Sequence, residues 1–115
     1  MILLVEDHPQ LRLILSESLR DRGFEVVTAD SGDDALIRLE AGLTPRIVFS
    51  DIRMPGAVNG LQLAHWIRTN RPGINVLLQT GFTHESTDSF AVLRKPYTDD
   101  DLFAALTHLL ADDDR

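Results

Sequence analysis

The sequence predicts an α/β fold, an open and doubly wound parallel sheet with helices on both faces. Three observations lead there. Four short apolar runs each end in a polar group, stretches of helical periodicity lie between runs, and Pro or Gly marks several of the joins. Continuous short apolar runs are the pattern of parallel strands covered on both sides. Their alternation with helices implies right-handed crossovers around one sheet.

The first strand is Ile2-Leu3-Leu4-Val5, running into Glu6-Asp7. A helix follows: Pro9 suits its first turn, Leu11, Ile14, Leu15 and Leu19 share the inward face, and Gly23 suits its stop. Glu25 to Ala29 is a second strand, more polar and so expected nearer an edge. The next helix covers Ser31 to Ala41, with Ser31 as N-cap, Ala35, Leu36 and Leu39 inward, and Gly42 past its end. Ile47-Val48-Phe49-Ser50 leads into Asp51 as the third strand. A helix from about Gly60 to Thr69 would bury Leu63, Ala64 and Ile67, with Trp66 in or beside the core. Val76-Leu77-Leu78-Gln79 into Thr80, and Val92-Leu93-Arg94 into Lys95, complete the strands. Thr98 and Asp101 cap the last helix, whose buried stripe is Leu102, Ala105, Leu106 and Leu109. Asp112, Asp113 and Asp114 then meet an unfavourable macrodipole, which predicts a frayed tail.

Length and charge bound the function. At 115 residues the chain fits one domain, 1–115, with a core that needs no cross-link. The absence of cysteine excludes disulfides and thiolate zinc sites. Eighteen acidic against eleven basic residues give a net charge of −7, the wrong sign for direct nucleic-acid or anionic-membrane binding. Met1 to Val5 is too short for a signal peptide or a membrane span, so a soluble, cytoplasmic protein is expected.

In sheets of this kind ligands bind outside the carboxyl ends of the strands, where the strand order reverses. Glu6, Asp7, Asp51, Thr80 and Lys95 all fall at such ends. Three carboxylates repel one another unless a cation or a proton intervenes. Magnesium, with manganese as its substitute, suits a few carboxylate and carbonyl oxygens with retained water and phosphate. A lysine and a hydroxyl suit an anion beside that metal. The set describes phosphoryl transfer to a carboxylate.

Val5-Glu6-Asp7, Ser50-Asp51-Ile52-Arg53-Met54-Pro55-Gly56, Gln79-Thr80-Gly81 and Lys95-Pro96 together resemble the motifs of two-component response-regulator receiver domains, the CheY-like family, over nearly the whole chain. The resemblance implies a flavodoxin-like five-stranded sheet of order 2-1-3-4-5. It also implies Asp51 as phosphoacceptor, with Asp7, Asp51 and the Arg53 backbone carbonyl as metal ligands and Glu6 acting on the metal through water. Thr80 and Lys95 would bind the phosphoryl group and carry the switch, and Lys95-Pro96 would be a cis peptide. A histidine kinase or histidine phosphotransfer protein would be the donor. Such a domain is no turnover enzyme, since it catalyses at most its own phosphorylation and dephosphorylation.

Two features depart from the family pattern. Only 15 positions separate Thr80 from Lys95, and the stretch from Phe82 to Phe90 shows no helical stripe, so the fourth helix of the family is expected to be short or missing. That resembles receivers attached to hybrid kinases or standing alone, and points to phosphorelay or protein interaction. Val92 occupies the position of the usual switching aromatic, for which Phe90 or Phe82 could substitute. Arg53 and Phe82 are candidates for tuning phosphoryl lifetime or the switch.

Taken singly, Glu6-Asp7 reads as a solvated strand end, Asp51 as a turn aspartate, Thr80 as a turn hydroxyl and Lys95 as a solvated lysine; only the ordered set lifts them above that. His8, His65, His84 and His108 read as exposed residues without metal-ligand spacing. The alternative from another class is a constitutive interaction module with a receiver-like fold. A magnesium-dependent aspartyl phosphatase is weaker, because Arg53 stands where an acid would have to protonate the leaving group.

Overall fold

A computed structural model describes residues 1–81 and 89–113. The strands are β1 (Ile2–Val5), β2 (Val26–Ala29), β3 (Ile47–Asp51), β4 (Asn75–Thr80) and β5 (Ala91–Arg94). The helices are α1 (Pro9–Asp21), α2 (Gly32–Glu40), α3 (Gly60–Asn70) and α4 (Asp99–Asp113). All neighbouring strands pair in parallel, in the order β2-β1-β3-β4-β5. This is the doubly wound, flavodoxin-like sheet expected, with β2 at one edge.

Strand alternation sorts the core into two sides. Ile2, Leu4, Ile47, Phe49 and Leu77 meet Leu15 and Leu19 of α1 and Leu102, Phe103 and Leu106 of α4. Leu3, Val5 and Val48 meet Ala35 and Leu39 of α2 and Leu63 and Ile67 of α3. Trp66 packs at the margin of this second side.

Local chemistry sets the element ends. Ser31 Oγ accepts from the Asp34 amide at 3.0 Å to start α2. Asn59 and Gln62 form a reciprocal capping box at α3, and Thr98 and Asp101 form another at α4, at 3.1 and 3.0 Å. Gly23 and Gly42 end α1 and α2 with φ of 92° and 109°.

Three readings change, and a fourth lies outside the described residues. Ile14, expected inward, is 59% exposed, because Leu11, Leu15 and Leu19 form the inward row and Ile14 lies on its flank. Phe103 is buried beneath the Arg22 guanidinium, 4.2 Å from its ring centroid, although the expected stripe omitted it. The α4 backbone stays helical through Asp113, beyond the point where fraying was expected. The expected loss of the family's fourth helix, together with Phe82 and His84, falls on residues 82–88, outside those described.

One close contact fastens α3 to the end of β3. A Cβ built on Gly60 would sit 2.0 Å from the Asp51 carbonyl oxygen and 2.8 Å from the Ile52 Cα. Gly60→Ala is therefore expected to destabilise the protein by about 1–3 kcal/mol through overpacking. Gly73→Ala, where a Cβ meets nothing within 4 Å, should shift stability by less than about 0.5 kcal/mol. Urea unfolding of the pair checks this, and equal midpoints would contradict the contact.

Candidate functional site

Parallel registry brings the polar strand ends together. Val5 pairs with Ser50, Asp51 with Gln79 and Thr80 with Arg94. Beyond them, the Lys95 amide donates to the Thr80 carbonyl at 2.8 Å. Glu6, Asp7, Asp51, Thr80 and Lys95 thus share one edge of the sheet, where the chain has passed from β2 across β1 to β3. That is the reversal point at which such sheets bind ligands.

Asp51 is held from two sides. Its Oδ2 accepts from Lys95 Nζ at 2.7 Å, and its Oδ1 accepts from the Arg53 amide at 3.2 Å. The Asp51 side chain is 13% exposed and that of Lys95 36%. Screening by solvent limits such a pair to roughly 1 kcal/mol. The Lys95-Pro96 peptide is cis. Thr80 is 2% exposed at the end of β4. Arg53 is exposed and lines a cleft of about 400 Å³ with Met54, Pro55 and Asn59.

Glu6 is the most constrained of the carboxylates. It is 1% exposed; its Oε2 accepts from the His8 amide at 3.1 Å and its Oε1 from Gln79 Nε2 at a long 3.5 Å. Burial pushes its carboxyl up to about 7, and Asp7 and Asp51 push the same way while the His8 amide opposes them. A proton or a cation relieves that repulsion. Among the described residues no group of three or more His, Cys, Asp or Glu side chains is arranged to hold a metal ion. The donors present fit magnesium, which keeps several waters and takes one or two carboxylates, better than a metal needing a full protein shell.

Some members of the site went unread in the sequence. Gln79, wholly buried, accepts at Oε1 from the Tyr97 hydroxyl at 2.5 Å, so a hydrogen-bond chain runs Tyr97, Gln79, Glu6. Burial pushes the Tyr97 phenol above its ordinary value, with the Glu6 and Asp51 charges adding to the effect. A lone amide at the end of an apolar run was the available signal, since a buried amide needs partners. His8 is exposed as expected, but its Nδ1 accepts from the Leu11 amide at 3.4 Å as the N-cap of α1.

Val92, in the position of the usual aromatic, packs on Ile52, Ala64 and Leu78. Phe90 is half-buried nearby and is clasped by α3. The His65 ring meets it edge-on at 5.2 Å, and the Arg68 guanidinium lies 3.7 Å from its centroid.

The Glu6 shift gives a pH dependence of defined sign. A carboxyl raised from 4.5 to about 7 on folding binds its proton more tightly when folded, so its contribution is full below pH 4.5 and is lost as pH rises through 7. In metal-free buffer, Glu6→Gln should flatten this window and be more stable than wild type at pH 8 by about 1–3 kcal/mol. Paired urea titrations at pH 4.5 and 8 check it; parallel changes in both proteins would contradict it.

Comparison with known proteins agrees with this geometry. The sequence model described as the response regulator receiver domain matches residues 2–107. The DNA-binding transcriptional regulator NtrC of Salmonella typhimurium is 29% identical over 120 residues, covering 96% of this chain and 25% of that protein. The response regulator protein FleR of Pseudomonas aeruginosa is 44% identical over 81 residues, covering 70% of this chain and 17% of that one. The chain thus spans a quarter or less of these two relatives. Among solved structures, response regulator protein TrrA of Thermotoga maritima, in complex with Mg²⁺-BeF, superposes with a TM-score of 0.84 at 32% identity, covering 94% of this chain and 96% of that one. A response regulator receiver protein of Sinorhizobium medicae gives a TM-score of 0.88 at 29% identity, covering 97% and 94%.

Proposed function

The chain belongs to the response regulator receiver domain family, and on that premise we propose that it is a phosphoacceptor switch with Asp51 as the acceptor. The observation that carries this is the 2.7 Å contact of Lys95 Nζ with Asp51 Oδ2 at the carboxyl edge of the sheet. A structural salt bridge would not need three carboxylates, a buried threonine and a lysine at one strand-order reversal.

In this reading residues 1–115 act as one cytoplasmic receiver unit. A histidine kinase or histidine phosphotransfer protein supplies the phosphoryl group. An Asp51 oxygen attacks phosphorus as the bond from phosphorus to the donor imidazole breaks. Magnesium bound at Asp7, Asp51 and the Arg53 carbonyl, with Glu6 acting through water, would neutralise charge on the transferring oxygens. Asp51 loses its own carboxylate charge when its oxygen is phosphorylated. Lys95 is thereby released from Oδ2 and can follow the phosphoryl oxygens, which bring about −1.5 to −2 charge. The Thr80 hydroxyl is the neighbouring donor for the same oxygens. Arg53, exposed on the cleft rim, is placed to tune phosphoryl lifetime. The domain catalyses only its own loading and hydrolysis.

The donor protein needs a surface beside Asp51. An apolar groove lined by Leu11, Ile14, Leu15, Pro96 and Tyr97 opens next to Lys95, with Leu13 and Ile14 57% and 59% exposed on α1. Exposed aliphatic side chains adjoining a charged site suit the helical surface of a phosphodonor protein.

Intact mass after incubation with magnesium and acetyl phosphate tests the reading. One phosphoryl adduct is expected in wild type and none in Asp51→Asn or in chelator. An adduct that survives Asp51→Asn would overturn the assignment. Ile14→Asp is expected to slow loading from a phosphorylated histidine phosphotransfer protein about 10-fold while leaving loading by acetyl phosphate unchanged. Equal slowing with both donors would contradict a docking role for the groove.

A further inference from the structure

Between α2 and the loop after β3 lies a set of contacts that neither capping nor core packing requires. Ser31 caps α2, and Asp34 turns to the Arg38 side chain and the Asp30 amide, both at 3.3 Å. Asp33 does neither. Its Oδ1 accepts from the Val58 amide at 2.8 Å, and its Oδ2 lies 3.4 Å from the Ala57 nitrogen. A first-turn carboxylate is ordinarily explained by the helix macrodipole. Here the carboxylate is aimed at amides 24 and 25 positions away along the chain. Bonds from an ionised carboxylate to backbone amides are among the stronger class.

Two glycines permit the approach. A Cβ on Gly32 would fall 2.2 Å from the Val58 carbonyl oxygen. Gly56 adopts φ +109°, and a Cβ there would lie 3.4 Å from Asp33 Oδ2. At the far end of the loop the Gly60 amide donates to the Ile52 carbonyl at 2.9 Å. The loop is therefore held by α2 near Ala57 and Val58, and its two ends are joined by the Gly60–Ile52 bond.

This loop follows Asp51 directly along the chain and forms the wall of a cleft. Arg53, Met54, Pro55 and Asn59 line that cleft, and the Arg53 amide bonds the acceptor carboxylate. We propose that Asp33 is a positioning residue for the Asp51 reaction: by gripping the Ala57 and Val58 amides it sets how a phosphoryl donor, and later a water, reaches the acceptor. The proposal rests on the phosphoacceptor reading. Asp33 touches no reacting atom. In loading, the bond from phosphorus to Asp51 forms as the donor's bond to phosphorus breaks. In hydrolysis, water oxygen bonds phosphorus as the Asp51 bond breaks, one water proton staying on phosphate and the other passing to solvent. Both steps take place at the Asp51 carboxylate, which the loop holds through the Arg53 amide, so both depend on where the loop stands.

The test compares wild type, Asp33→Ala and Asp33→Asn well below each unfolding midpoint. Loading is followed by intact mass over a range of acetyl phosphate concentrations with magnesium, and the adduct's decay is timed after donor removal. Amide exchange at Ala57 and Val58 is measured in the metal-free protein. Asp33→Ala is expected to speed exchange at both amides at least about 10-fold and to lower kcat/KM for loading about 10-fold, as loss of orientation does. Asp33→Asn keeps an acceptor oxygen for Val58 and should return loading to within about 3-fold of wild type. Unchanged loading in Asp33→Ala, with wild type loading normally, overturns the proposal alone, as do equal losses in the two variants. A wild type that takes no adduct overturns the phosphoacceptor reading and this proposal with it, whatever exchange shows about the grip.

Discussion

Burying Glu6 beside Asp7 and Asp51 is the constraint on which the rest of this structure depends. A carboxylate 1% exposed and pushed up to about 7 is a standing destabilisation at neutral pH. It is tolerated because the pocket sits at the sheet edge where a cation, a proton or a lysine can balance it. Lys95 already balances Asp51 at 2.7 Å. The two-sided apolar core, with α1 and α4 on one face and α2 and α3 on the other, supplies the rigidity that holds like charges together. In this sense the fold stabilises an arrangement that the site by itself opposes.

The site is also wired to its surroundings by backbone contacts rather than by side chains alone. Gly60 brings α3 against the Asp51 carbonyl, and Gly32 brings α2 against that of Val58. Both contacts lie where the chain leaves β3, at its last residue and in the loop that follows. On the other flank, Tyr97 and Gln79 connect the groove beside α1 to Glu6 through two hydrogen bonds. The acidic pocket is thus joined on one side to the cleft wall and on the other to the surface proposed for the donor. Phe90, clasped by His65 and Arg68, ties β5 to α3 where Val92 leaves no aromatic ring. A charge change at Asp51 has packed elements on both flanks through which to act.

Much of this was legible in the sequence, for a physical reason. Buried parallel strands must be continuously apolar, so the polar residues that follow each run mark the strand end and hence the ligand edge. That pattern puts Glu6, Asp51, Thr80 and Lys95 at one edge, and the registry agrees. Capping chemistry is equally local, and Ser31, Thr98 and Asp101 could be read from spacing alone. Ile14 was misplaced because periodicity gives a face and not its width. Asp33 was invisible because its partners lie 24 and 25 positions away, and nothing local distinguishes it from any first-turn acid. Gly32 and Gly60 are read as close contacts only when the opposing carbonyl is known. Tyr97 could not be paired with Gln79 before the strand order placed β5 beside β4.

The central claim is that a carboxylate oxygen of Asp51 is the atom that takes the phosphoryl group. Borohydride reduction of the phosphodonor-treated protein, followed by peptide sequencing, tests it most directly, because an aspartyl phosphate is reduced to homoserine whereas a free carboxylate is not. The account predicts homoserine at position 51 and nowhere else, formed only when magnesium was present during loading. Homoserine at Asp7 or at another carboxylate, or phosphate recovered on a hydroxyl or a histidine with Asp51 intact, would contradict it.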